Sequence, residues 1–205
     1  MADEIEDLKQ RHKGDISTLW KIYNVDKPFY DNFYFKFSFA TTIVALLVVF
    51  VLKSDIYNLI CFISEISVGA LPTLLGFNLG AYILIVGFGS SDILAIITKP
   101  LEGQNNYSFY QKLNSVLGVS VVVQIITLFL TFIIKVWKEI QVDYYWNIKC
   151  IIFPVILNII TFFFVMFLVT YSFLLLINVV KHVFLFAQTI HFFIYKKEVD
   201  KNKKT

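Results

Sequence analysis

FYFKFSFATTIVALLVVFVL, residues 33–52, and IYNLICFISEISVGALPTLLGFNLGAYILIVGF, residues 56–88, follow one another across the short polar link Lys53-Ser54-Asp55. The first run has twenty residues, and a helix rising about 1.5 Å per residue then matches the ~30 Å hydrocarbon core of a bilayer. Lys36 lies near its start, where a long stem lets the ammonium reach the headgroups. The second run would reach about 50 Å as one helix, too long for an upright crossing. Gly69-Ala70-Leu71-Pro72 offers a place to divide it, because proline removes a donor and biases the preceding residue away from helix. In 56–68, Asn58, Cys61, Ser64, Glu65 and Ser67 fall on one side, opposite Ile56, Leu59, Ile60, Ile63 and Ile66. That pattern suits a helix lying in the interface. The expectation is a first span at 33–52, an outer interfacial helix at 56–68 and a second span at 71–88.

Outward from this pair, residues 1–32 read as a polar cytosolic lead-in with no signal-peptide pattern. Asp15-Ile16-Ser17-Thr18-Leu19-Trp20 supplies capping groups for a short interfacial helix, and Trp20, Tyr23, Phe29 and Tyr30 suit the headgroup level. Ser90–Asn114 reads as a polar loop broken by Lys99-Pro100, Gly103 and Asn105-Asn106. A third span is expected at 115–134, then a loop at 135–149 carrying Trp137, Tyr144, Tyr145 and Trp146. A fourth follows at 151–172, with a helical cytosolic extension to 195 and a disordered basic tail at 196–205. The fold class expected is all-α: a polytopic four-helix transmembrane bundle with an outer interfacial helix and a cytosolic extension of the last helix.

The totals agree with a bilayer as solvent. Soluble domains are about 45–50% apolar and about 25% charged; this chain is 58% apolar and 16% charged, with 22 phenylalanines. Four spans put both ends on one side. Lys and Arg number six in 1–36, two in 89–114 and six in 181–205, against one at Lys53 and three in 135–149. Fourteen against four places both termini in the cytoplasm by the positive-inside rule. Cys61 and Cys150 then both lie outside, either bridged or as two free thiols, and two cysteines exclude a disulfide framework.

Few residues stand out as carriers of function. Gly76-Phe77-Asn78-Leu79-Gly80 is a GxxxG pattern, which lets two helices approach closely, either inside one subunit or between subunits. Asn78, Gln124, Asn158 and Asn178 are single amides in apolar helices; they either bond across the bundle or line a pore. Glu65 is solvated if 56–68 lies in the interface and becomes an intramembrane acid if the helix is unbroken. Lys181, His182, Phe184, Gln188, His191 and Phe192 mark an extension still rich in aromatics, a surface for self-association or for a partner. The alternative is a helix lying on the inner leaflet. The two histidines are nine apart, not the three or four that metal ligands on one helix face need. No Walker, HExxH, GxSxG or CxxC pattern is present, so neither an enzymatic role nor a metal or cofactor is expected.

Leu71-Pro72-Thr73-Leu74-Leu75-Gly76-Phe77-Asn78-Leu79-Gly80-Ala81-Tyr82 resembles a run found in small bacterial membrane proteins of phage-defence islands. The whole layout resembles the membrane subunit of Kiwa-type antiphage defence systems. The resemblance implies a homo-oligomeric sensor in the bacterial inner membrane that recruits a cytosolic, DNA-binding effector, without contacting nucleic acid itself. A small oligomeric channel or membrane-perturbing effector is the competing expectation.

Overall fold

The computed structural model describes residues 14–25, 27–87, 97–99, 107–140 and 152–202. Among them the architecture is all-α. Five helices follow in order: α1 (Ile16–Tyr23), α2 (Phe33–Leu52), α3 (Ile56–Gly87), α4 (Phe109–Ile140) and α5 (Ile152–Asn202), with a 3-10 turn at Phe29–Asp31. The last four are long and apolar enough to cross a membrane.

α1 forms where the capping residues place it. The Asp15 carboxylate accepts from the Thr18 amide at 2.7 Å, and Asn24 closes the other end by donating to the Trp20 carbonyl at 2.8 Å. Asn24 Oδ1 also accepts from the Phe29 amide, and Trp20 packs on Tyr23 and Phe29, so the chain leaving α1 is held back against it.

α2 keeps the boundaries expected from sequence. Asn32 accepts from the Tyr34 amide at its start, and Lys36 pairs with Asp31 there. At its end Lys53 takes a left-handed conformation with φ 50°. The Lys53 amide then donates to the Phe50 carbonyl and the Ser54 amide to the Val49 carbonyl, a Schellman closure that satisfies carbonyls lipid cannot. Asp55 immediately caps α3, accepting from Tyr57 and Asn58 amides. The two helices are thus antiparallel neighbours, with Val49, Ala45 and Leu46 in one apolar cluster with Ile56, Leu59, Ile60 and Ile63.

The division expected at Gly69–Pro72 is absent. α3 runs as one 32-residue helix with Pro72 inside it. Proline removes one ladder bond, the one to the Val68 carbonyl. Leaving the helix in an apolar medium would strand several backbone groups with no water to take them. The separate interfacial helix at 56–68 and a span confined to 71–88 are therefore corrected to one continuous helix.

α4 starts earlier than expected, at Phe109, for a reason visible in sequence. Ser108 and Gln111 form a reciprocal capping box, with bonds of 3.0 and 3.1 Å between each side chain and the other's amide. α5 runs without interruption through the stretch expected to be a disordered tail, to Asn202. No glycine or proline lies between 155 and 202 to stop it. The rest of the loops at 90–106 and 141–150, with Tyr144, Tyr145, Trp146 and Cys150, lies outside the described residues apart from Ile97–Lys99.

The chain divides into two compact units. One gathers the described residues of 1–29, 81–119 and 179–205. Its core packs Ala81 and Ile85 of α3, Leu113 and Leu117 of α4, and Val179 and Phe186 of α5. The other holds residues 30–80 and 120–178, with all of α2. In it, α2 meets α5 through aromatic edges: Phe35 with Phe167 at 5.1 Å, Phe39 with Phe163 at 5.7 Å.

Candidate functional site

Three features bear on function: a polar seam inside the second unit, an uncovered face of α3, and an uncovered face near the end of α5.

The seam lies along α4. Ser120, Gln124, Thr127 and Thr131 repeat at steps of four, three and four, so they share one helix face, and all are buried. Asn78 of α3 reaches it and donates to Ser120 Oγ at 2.9 Å and to Gln124 Oε1 at 2.7 Å. Gln124 Nε2 donates to the Ser172 carbonyl of α5 at 3.3 Å, and Thr127 and Ser172 share a hydroxyl contact at 3.0 Å. Three helices are therefore tied by buried side-chain bonds. The Asn78 Oδ1 atom is buried and accepts nothing among the described residues. Of the sequence-selected amides, Asn78 and Gln124 meet; Asn178 is buried at the end of the same unit and Asn158 is half-buried. The hydroxyls at 120, 127, 131 and 172 were missed, although the spacing of 120, 127 and 131 on one helix face with Gln124, within an apolar run, was the available signal.

Gly76 and Gly80 do not accompany Asn78. A Cβ built on Gly69, Gly76, Gly80 or Gly87 would meet no atom within 4 Å. At about 100° per residue these four share a stripe with Glu65, Pro72 and Ile83, all exposed. Ile60, Ser64, Ser67, Leu71, Asn78, Ala81 and Ile85, buried side chains of α3, occupy the opposite side, while the buried Cys61 borders the stripe. Of the two readings of GxxxG, close packing inside the subunit does not occur among the described residues. The glycines face outward.

Among the described residues, the glycine that serves close approach is Gly118, which sequence reasoning passed over. Leu19 of α1 lies across it, and a Cβ there would overlap Leu19 Cδ1. This seats α1 on α4.

On α5, Phe186, Val183, Ile190 and Phe193 turn inward onto the apolar core with Phe109 and Tyr110 of α4. The chain thus covers part of the aromatic surface that sequence alone left bare. What remains outside includes Phe184 and Phe192, 64% and 59% exposed, with Leu185, Ile194 and Tyr195. Lys181, Gln188, His191, Lys196 and Lys197 are exposed beside them, and His182 is half-buried. Cys61 is buried and unbridged. Among the described residues no group of three or more His, Cys, Asp or Glu is placed to hold a metal. No known family, curated protein or solved structure matches the chain.

Proposed function

We propose that this chain is a membrane-embedded scaffold and sensor, assembled from several copies in a bacterial inner membrane, that holds a cytosolic effector at the membrane surface. The observation that carries the reading is the outer face of α5 past Val180. The helix is about 77 Å long at 51 residues, far beyond what a ~30 Å core requires. The excess keeps two phenylalanines bare beside lysines, although their neighbours on the same helix are covered. Apolar side chains rimmed by charge on a soluble extension are what a protein partner covers. The lysine distribution supports cytoplasmic placement of 1–36 and 181–205. Copies associate through the glycine stripe of α3, where backbones can approach closely. The Kiwa-type resemblance supplies the class of effector, a soluble DNA-binding protein.

A pore lined by Asn78 and Gln124 is less well supported, because Asn78 already donates to Gln124, and Gln124 to the Ser172 carbonyl, within one subunit. Deleting 181–205 would also strip Phe186 from a packed core, so the surface pair Phe184→Ala with Phe192→Ala is the cleaner test. The pair should release the effector during purification while ion leak and the mass of the membrane assembly stay unchanged. Retained effector with altered leak would favour the channel instead.

A further inference from the structure

Asn78 is engaged on one side of its amide and idle on the other. The residue is 0% exposed inside the second unit, and its Oδ1 accepts no hydrogen bond among the described residues. Nδ2 donates to Ser120 Oγ at 2.9 Å and to Gln124 Oε1 at 2.7 Å, which uses both amide protons. Turning the group over does not relieve the oxygen. Exchanging O and N on Asn78 would set its oxygen against Gln124 Oε1, acceptor facing acceptor. Exchanging them on Gln124 as well would set a second oxygen against the Ser172 carbonyl, which accepts from Gln124 Nε2 at 3.3 Å. The orientation is fixed from both ends, and a buried carbonyl is left to bear the full cost of desolvation.

Ser120 has the matching deficit. It too is 0% exposed; its Oγ accepts from Asn78, and its own proton meets no acceptor among the described residues. The neighbouring hydroxyls differ: Thr127 donates to the Val123 carbonyl at 2.8 Å and Thr131 to the Thr127 carbonyl at 2.9 Å. One acceptor and one donor thus hang on the two ends of a single direct bond between α3 and α4. A group that joins them must donate and accept at once, and burial excludes a lipid headgroup, a peptide or a second copy. A metal cation takes nothing from the Ser120 proton and would face two N–H donors, Asn78 Nδ2 and Gln124 Nε2. No Asp or Glu in 66–87, 109–138 or 152–197 offsets its charge. Water meets both needs, is neutral, and is the usual partner of buried polar atoms that the chain leaves unsatisfied.

We infer that a buried water closes this joint: it donates to Asn78 Oδ1 and accepts from the Ser120 hydroxyl, forming a ring with the direct Asn78–Ser120 bond. Asn78 anchors the water, and Ser120 is a positioning residue for it. The site lies within one copy, so the inference stands apart from the oligomer and the effector proposed above.

The test is cross-relaxation between water and the side-chain amide protons of Asn78, in the isotope-labelled full chain in mild detergent. Asn78→Leu assigns the amide pair by its loss. Wild type should give a cross-peak at the water frequency with the sign of a long-lived bound molecule. The Ser120 hydroxyl exchanges with solvent and relays a similar signal, so Ser120→Ala, shown folded by helical circular dichroism, separates the two sources. The cross-peak should weaken in Ser120→Ala and persist, because Oδ1 still accepts from water. Its disappearance there assigns it to the hydroxyl and overturns the inference, as does a wild-type amide with no cross-peak. Unfolding midpoints in sodium, potassium and N-methylglucamine chloride at equal ionic strength should coincide. A midpoint raised by one metal ion alone marks a cation in place of the water and overturns the inference too.

Discussion

Asn78 and Gln124 illustrate how a single amide decides local packing in an apolar setting. Each interhelical bond is worth on average about 0.6 kcal/mol and up to about 2, and a buried partner left unpaired costs about 1–3. Asn78→Leu removes the donor to both Ser120 and Gln124 while relieving its own unpartnered oxygen. The net loss expected is about 1–2 kcal/mol, read by thermal unfolding in detergent. A neutral result would mean the unpartnered oxygen already offsets both bonds. Lys53 makes a different prediction. Its left-handed conformation costs a non-glycine residue about 1–2 kcal/mol, so Lys53→Gly should raise stability by about 1. At this scale the sequence was readable wherever a side chain caps a helix: Asp15 was recognised, whereas Ser108 and Gln111 carried an equally plain capping box that went unread. The glycine pattern was visible too, but which way it faced depended on the buried residues of α3, and those are set by tertiary contact.

Among the helices, α2 was legible to the residue because polar groups bound it on both sides, and α3 was not. The proline rule that suggested a break comes from chains whose freed carbonyls can turn to water, an option absent in lipid. The outward stripe of α3 yields a sharp expectation. A Cβ at Gly76 or Gly80 meets no neighbour among the described residues, and Gly76→Leu and Gly80→Leu improve helix propensity, by up to about 1 kcal/mol each. Subunit stability should hold or rise while the assembled mass falls to that of a single chain. A drop in subunit stability would instead place those glycines against a neighbouring helix. For α1, Gly118→Ala should loosen its seat on α4 because the new methyl contests the space of Leu19 Cδ1, and Leu19→Ala in the same chain should restore it. Protease cleavage between α1 and α2 is the readout, and additive rather than compensating effects would deny the contact.

In the whole molecule, the described residues of the three segments assigned to the cytosolic side by lysine count, 1–36, 89–114 and 181–205, fall largely within one compact unit. The composition made a bilayer-embedded, all-α chain legible, and four apolar helices bear that out. Its function was not legible to the same degree. The proposed scaffold role depends on surfaces whose exposure emerges only once neighbours are placed. Phe184 and Phe186 differ by two residues, yet one is bare and the other packed in a core. The central claim is that this chain assembles with itself and holds a soluble partner. Its most direct test is the mass and composition of the tagged full-length chain, purified in mild detergent from the cells that encode it. The account predicts a defined homo-oligomer carrying a soluble DNA-binding protein, with that protein lost on Phe184→Ala and Phe192→Ala. A single chain in its micelle, or an oligomer that elutes alone, would contradict it.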